Sequence, residues 1–292
     1  MKGDMRLKLE NYSKGEFPLV VLPVKGNANF PLHTHDYLEL VIVLGGSGIH
    51  ETGEEEYRIT AGDVFVITGH LEHGYRNAAE LYFVNVLFDF QTLELPMHDL
   101  RSLPGFNALF EIEPKFRKEH EFKSRLKLTY EHLSRARQIL FEIRKELQGK
   151  SPGYKALSCS LLTELLVFLS RRFSPASSLP ECQTIYAFGE IVSYLEEHYA
   201  SEISIDQLAR RAKMSKRNFQ RLFQKAMGIS PISYLLSLRM DKAREILKNS
   251  DKPISQIAIE TGFEDSNYFS RQFKKIMGMT PRRFRAIERH AN

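Results

Sequence analysis

Residues Ile205 to Phe223, IDQLARRAKMSKRNFQRLF, return 49 positions later as the stretch from Ile254 to Phe273, ISQIAIETGFEDSNYFSRQF. Ile205 pairs with Ile254, Leu208 with Ile257, Ala209 with Ala258, and Met214 with Phe263. Glu264 lies just past the turn, and beyond it the offset is 50: Phe219 matches Phe269, Arg221 matches Arg271 and Phe223 matches Phe273. The match runs on through Gly228 and Gly278, Pro231 and Pro281, and Tyr234 and Phe284. Repetition at this period says that two like units were joined in tandem. In the second copy Gly262 stands where a helix should stop, and Asp265 is a fitting N-cap for the next one. That next helix carries Phe269, Phe273 and Ile276 at helical spacing. Two short amphipathic helices about a turn make a helix-turn-helix, and this chain carries the pattern twice.

On a helical wheel Phe219, Leu222, Phe223 and Ala226 gather on one face, with Arg217, Gln220, Arg221 and Gln224 on the other. The second copy sets Phe269, Phe273 and Ile276 against Asn267, Ser270, Arg271 and Lys274. Arg, Lys, Asn and Gln are the side chains that bond guanine and adenine edges in the major groove. The bland account is a solvated face on an ordinary core helix. Recurrence of the same chemistry on two helices in register weighs for DNA contact instead. Charge agrees: residues 185–292 hold 19 Lys+Arg and 12 Asp+Glu, whereas residues 1–184 hold 22 and 24. The basic excess lies with the repeat, as phosphate neutralisation requires.

The segment from about Ile185 to Phe284 resembles the DNA-binding domain of the AraC/XylS family of transcription regulators, and the trailing GMTPRRFR (Gly278 to Arg285) is similar to that family's signature. The resemblance implies two helix-turn-helix units joined by a long helix, here Pro231 to Lys248, so that both recognition helices face one side of the DNA. It implies base-reading positions at Arg217, Gln220 and Arg221, then at Ser266, Asn267, Ser270 and Arg271. It also implies double-stranded DNA and RNA polymerase as partners. The first helix is the richer in bidentate donors, so it is expected to supply more of the base discrimination. The second is expected to supply relatively more of the backbone affinity.

At 292 residues the chain is long enough for two domains, each with its own core. The two cysteines, Cys159 and Cys182, have no metal-ligand spacing, which fits a reduced cytoplasmic protein. The opening MKGDMRLKLE lacks the apolar run of a signal peptide, and no apolar stretch approaches membrane-spanning length. A cytoplasmic location is expected.

Before the repeat the pattern changes to short apolar runs separated by turn signals. The runs are Phe17–Val24, Leu38–Leu44, Tyr57–Thr60, Val64–Thr68 and Leu81–Phe90, with turns expected at Gly26-Asn27, Gly45-Gly46 and Ala61-Gly62-Asp63. Closely spaced strands of this kind predict a sandwich or small barrel. His33, His35 and Glu39 share parity, which on one strand sets them on one face. His33-x-His35-x3-Glu39-x6-Gly46 resembles the first motif of the cupin fold, and Gly62 through His73 to Asn77 resembles the second. Thr68 and His70 depart from the usual Pro and Gly of that second motif. The cluster His33, His35, Glu39 and His73 admits three accounts. It hydrogen-bonds the hydroxyls of an effector with no metal, it ligates Fe, Mn, Ni or Zn, or it is structural.

Residues 91–120 are expected to form a loop with short elements packed on the barrel. Thr129 to Gly149 is predicted helical from Leu133, Leu140 and Leu147, with Ala136 and Ile143 between. Tyr154 to Phe173 is a second helix with Leu157, Leu161, Leu165 and Phe168 on one stripe and Leu162, Leu166 and Leu169 beside it. That apolar sector is broad enough to predict a homodimer, against the alternative of a hairpin buried wholly within one chain. SPASSLPECQT, residues 174–184, has the composition of a linker. The expected organisation is multidomain. An all-β cupin-like sensing barrel covers 1–120, a helical dimerisation segment 121–173, a linker 174–184, and an all-α DNA-binding domain with two helix-turn-helix units 185–292.

Phe30 to His50, with YRITAGDVFVI and FVNVLF, looks more like the sensor half of the L-rhamnose-responsive regulators than like other members of the family. The resemblance implies a sugar-sensing activator of a carbohydrate catabolic operon; no cofactor is expected to be required, a divalent metal in the barrel being the one candidate. Two alternatives stand beside it: a metal-dependent cupin enzyme fused to a DNA-binding domain, and a constitutive DNA binder whose barrel only dimerises it.

Overall fold

A computed structural model describes residues 6–13, 15–26, 29–52, 56–69, 71–114, 126–173 and 180–290. His70, Asn27, the expected boundary at 120/121 and residues 174–179 of the expected linker lie outside the described residues. The chain divides into two units, Met1–Glu190 and Ile191–Asn292.

The first unit is built on eight strands: β1 (Arg6–Leu7), β2 (Leu19–Gly26), β3 (Phe30–His35), β4 (Leu38–Thr52), β5 (Glu56–Thr60), β6 (Asp63–Ile67), β7 (His73–Phe88) and β8 (Leu126–Lys127). A short helix, α1 (Leu9–Ser13), follows β1. The sheet order is β1-β3-β7-β4-β6-β8, with β2 also on β7 and β5 also on β4. Val41, Val43, Tyr57, Ile59, Phe65, Ile67, Tyr75, Leu81 and Phe83 form one buried cluster. All of these but Leu81 are β-branched or aromatic residues of the kind that fits a pleated, half-buried surface.

Two strands are longer than the sequence predicts. β4 runs straight through Gly45-Gly46, where a turn was expected, because those residues form a bulge instead: the β4–β7 register slips there while pairing continues from Leu38–Phe88 to Thr52–His73. Gly46 has φ +69, and a Cβ on it would lie 2.1 Å from the Glu80 carbonyl oxygen, so only glycine fits. β7 begins at His73 rather than near Leu81; the polar or small residues Arg76, Asn77, Ala79 and Glu80 hide the alternation.

Between β7 and β8 the expected loop contains α2 (Met97–Arg101), α3 (Pro104–Phe106) and a π-helical turn, Asn107–Ile112. The hairpin follows as α4 (Tyr130–Gly149) and α5 (Tyr154–Ser170). Thr129 caps α4 by accepting from the His132 amide at 3.3 Å, and Lys150 ends it in the left-handed region. Leu133, Ala136, Ile139, Leu140 and Ile143 of α4 and Leu162, Leu165, Leu166 and Leu169 of α5 are buried within the chain.

The linker expectation needs correction. Pro180 opens helix α6 (Pro180–His198), so Pro180–Thr184 are helical, and the division at Glu190/Ile191 falls inside that helix. Proline is well tolerated in a helix's first turn, where its missing N–H costs nothing, and Ile185 and Phe188 are buried. Composition alone misled here.

The second unit continues with α7 (Ile205–Arg211), α8 (Lys216–Met227), α9 (Pro231–Asn249), α10 (Ile254–Glu260), α11 (Ser266–Met277) and α12 (Pro281–His290). Ser204, Ser215, Ser230 and Asp265 each cap a helix by accepting a backbone N–H from its first turn. Gly228 and Gly278 close α8 and α11 at φ +75 and +74, so the repeat holds down to its stop signals. Phe219, Phe223, Phe269 and Phe273 are fully buried, each worth about 1.5–3 kcal/mol of transfer free energy. Among the described residues no helix is long and apolar enough to cross a membrane.

Candidate functional site

Burial of Phe219 and Phe223 on one side of α8 leaves Arg217, Gln220, Arg221 and Gln224 exposed on the other. On α11 the same logic exposes Asn267, Arg271 and Lys274, while Ser266 and Ser270 are half-buried at the flank of that face. Two neighbours join these faces that the sequence did not single out. Arg221 Nη2 donates to Asn218 Oδ1 at 2.9 Å, and the Arg271 guanidinium lies 5.9 Å from the ring centre of Tyr268. Asn218 and Tyr268 occupy the same place in the repeat, three residues before its arginine, and the offset of 50 was the signal that could have found them.

A second cluster lies inside the barrel. His33 and His35 are on β3 and Glu39 is on β4, not on the single strand that their parity suggested. Register still brings them together. His33 pairs with His73 across β3 and β7, and Glu39 is buried beside Ile67 and Leu87 on the neighbouring strands. The rings of His33 and His73 are 4.2 Å apart, and Glu39 Oε2 is 3.3 Å from His35 Nε2 and 3.6 Å from His73 Nε2. The ring of His35 stacks on Tyr37 at 4.2 Å.

Each of the three imidazoles has its Nδ1 against a backbone carbonyl: His33 to Pro31 at 3.1 Å, His35 to Tyr37 at 2.8 Å, and His73 to Leu71 at 3.0 Å. A carbonyl only accepts, so each ring donates from Nδ1; its Nε2 then presents a lone pair when the ring is neutral, and for His35 and His73 an N–H towards Glu39 when the ring is protonated. Burial, reinforced by His73, lowers the His33 pKa to about 4. Burial alone would raise the Glu39 carboxyl, but its bonds to His35 and His73 outweigh that and hold it well below the ordinary carboxylate range. Burial, with Glu39 nearby, raises the Tyr37 phenol far above its usual value.

Ligand atoms of His33, Glu39 and His73 lie within 4.8 Å of one another, and all three residues are buried. Nitrogen and oxygen donors with their other ring nitrogens fixed by carbonyls fit a divalent metal, so the donor set passes that test. His35 stands outside the set, engaged with Glu39 and Tyr37. Beside the cluster is a cavity of about 40 Å³ lined by His33, Tyr37, Glu39, Tyr75, Asn85 and, from the N-terminal segment, Leu7 and Tyr12. His50 also belongs to this interior: it is fully buried, with its ring 5.8 Å from His73 and 5.1 Å from Tyr75.

A model of the helix-turn-helix domain matches residues 208–287, and one of the AraC-like ligand binding domain matches residues 25–166. The HTH-type transcriptional activator RhaR of Escherichia coli (strain K12) is 31% identical over 258 residues, which cover 88% of either chain. This chain belongs to the AraC-type transcription regulators. RhaR of Salmonella dublin is 28% identical over 263 residues, 90% of this chain and 89% of that one. Among solved structures, an AraC-type transcriptional regulator from Chromobacterium violaceum is 33% identical, covers 35% of this chain and 91% of its own, and has a TM-score of 0.34. An AraC-type regulator binds DNA through its helix-turn-helix domain and carries a ligand-binding domain; it is a regulator and not an enzyme. The cupin-enzyme alternative is thereby set aside.

Proposed function

We propose that this AraC-type regulator activates a carbohydrate catabolic operon in response to a small sugar-like effector held in the barrel. The observation that carries the effector is a pair of buried acceptors lining the cavity, Glu39 Oε1 and Asn85 Oδ1, which lack a hydrogen-bond partner among the described residues. An orphaned buried acceptor costs about 1–3 kcal/mol, which a hydroxyl donor recovers. Sugar hydroxyls are such donors, and the rings of Tyr37 and Tyr75 offer flat faces beside them. The cavity is small for a monosaccharide, so on this reading its lining side chains shift to admit one. Activation is supported by the relatives, which are named as activators.

On this reading the protein is a cytoplasmic homodimer whose partners are double-stranded DNA and RNA polymerase. Dimerisation is supported by Tyr130 and Phe141 on α4 and Leu157 on α5, large apolar residues that are exposed. The test is a melting-temperature screen of the purified chain against pentoses, hexoses and deoxy sugars. A ligand that binds only the folded state raises the melting point, and the same sugar should raise transcription in vitro from a bound promoter. A panel that shifts neither overturns the sugar assignment.

A second reading of the cavity is favoured by one observation, the convergence of His33, Glu39 and His73 in a space suited to a single ion. A divalent metal held there would supply a fixed positive charge on which hydroxyl or carboxylate oxygens of an effector orient. Elemental analysis of protein purified without chelator checks it: stoichiometric Fe, Mn, Ni or Zn supports the metal, and its absence retires it.

A further inference from the structure

Arg239 lies midway along α9, the helix that joins the two helix-turn-helix units. Its Nε donates to the Tyr199 carbonyl at 2.7 Å and its Nη2 to the Ser201 carbonyl at 2.8 Å. Those carbonyls belong to the chain leaving α6, just before the first unit. The same guanidinium lies 5.5 Å from the ring centre of Phe263, in the turn of the second unit. One side chain therefore touches all three parts. A planar fork suits two carbonyls at once, as an ammonium does not.

Gly262 makes the contact closer. A Cβ at this position would lie 2.9 Å from the Ala200 carbonyl oxygen, 3.0 Å from Ala200 Cα and 2.9 Å from the Arg239 guanidinium carbon. Its φ of +83 does not by itself demand glycine, because the matching residue of the first copy is Lys213, at φ +55. What distinguishes the two turns is the neighbour. The second turn presses its backbone onto the backbone of Ala200, and only a residue without a side chain allows that approach.

We propose that Arg239, seated between Ala200 and Gly262, is a positioning residue that fixes the distance between the two recognition helices, and so the number of base pairs between the two segments that one chain reads. α9 alone leaves a hinge at each end, at Gly228–Ser230 and at Ser250–Pro253. The Arg239 bracket adds a third point of attachment and removes that freedom. The inference rests on the reading of α8 and α11 as the DNA-contacting helices.

The test uses the full chain and a duplex that the wild type selects from a random-sequence pool. Versions of that duplex with one base pair inserted or removed between the two protected segments serve as further probes. The wild type should prefer the parent spacing strongly. Arg239→Lys keeps the charge and stem but loses the fork, and it should weaken binding to the parent duplex about tenfold while changing binding to the altered spacings much less. Gly262→Ala should flatten the spacing preference in the same way. Arg239→Gln and a melting-temperature check separate loss of positioning from loss of fold. Variants that are folded and keep the wild-type spacing preference, whether their binding is unchanged or uniformly weaker, overturn the proposal. A wild type that selects no sequence instead overturns the DNA-contact reading beneath it.

Discussion

Arg221 and Arg271 hold the same position in the two recognition helices, yet they are held differently. The Asn218 amide fixes one edge of Arg221 by a hydrogen bond, whereas Arg271 rests near the face of Tyr268. A guanidinium with one edge already held loses less freedom on meeting a base, which fits Arg221 as the stronger reader. Arg221→Ala should cost about 1–3 kcal/mol and relax preference at one base pair, as measured by binding to a panel of single-substituted duplexes. Equal losses on selected and random DNA would contradict that role. Lys274→Ala, by contrast, should weaken every sequence alike and flatten the salt dependence. In the barrel, His33 has a folded-state pKa of about 4 against an ordinary 6.5, so the unfolded chain binds more protons between those values. Its contribution to stability is therefore present above about pH 6.5 and lost as the pH falls towards 4. The melting point of the wild type should drop more than that of His33→Gln between about pH 7 and 5; parallel curves would refute the assignment.

Strand faces were legible in the sequence only up to the bulge. Glu39, Val41 and Val43 alternate into the interior, and by the same parity His50 should point outwards. The slip at Gly45-Gly46 reverses the faces, so beyond it Gly48 and His50 are the buried positions. A sequence shows two glycines and suggests a turn; it does not show that Glu80 lies across from them. Gly46→Ala should lower stability by about 1–3 kcal/mol in chemical denaturation, from strain at positive φ and collision with Glu80. An unchanged midpoint would mean that the bulge relaxes without glycine. The hairpin carries a similar lesson. Its leucine stripes were plain, but Leu165, which the stripe placed with Leu161, is buried inside the chain, and the exposed apolar residues are instead Tyr130, Phe141 and Leu157. Phe141→Glu with Leu157→Glu should shift the chain to a monomer in sedimentation while leaving its melting point nearly unchanged. A dimer that survives both changes would exclude this face.

At the scale of the whole chain, the sequence reading was firmest where two copies could be checked against each other. Side-chain caps, core phenylalanines and terminal glycines of α8 and α11 repeat because each copy solves the same packing problem. What the copies do not share was hidden: the partners of Arg239 are backbone carbonyls, which leave no mark on composition or period. The repeat has one more consequence. Its two halves are alike in fold and unlike in side chains, with Arg217, Gln220 and Arg221 on one and Asn267, Ser270 and Arg271 on the other. A two-fold pair of identical helices reads the same message from either strand. Two unequal helices on one chain give the bound DNA a direction, so a site turned end for end beside its promoter is, to this protein, a different word.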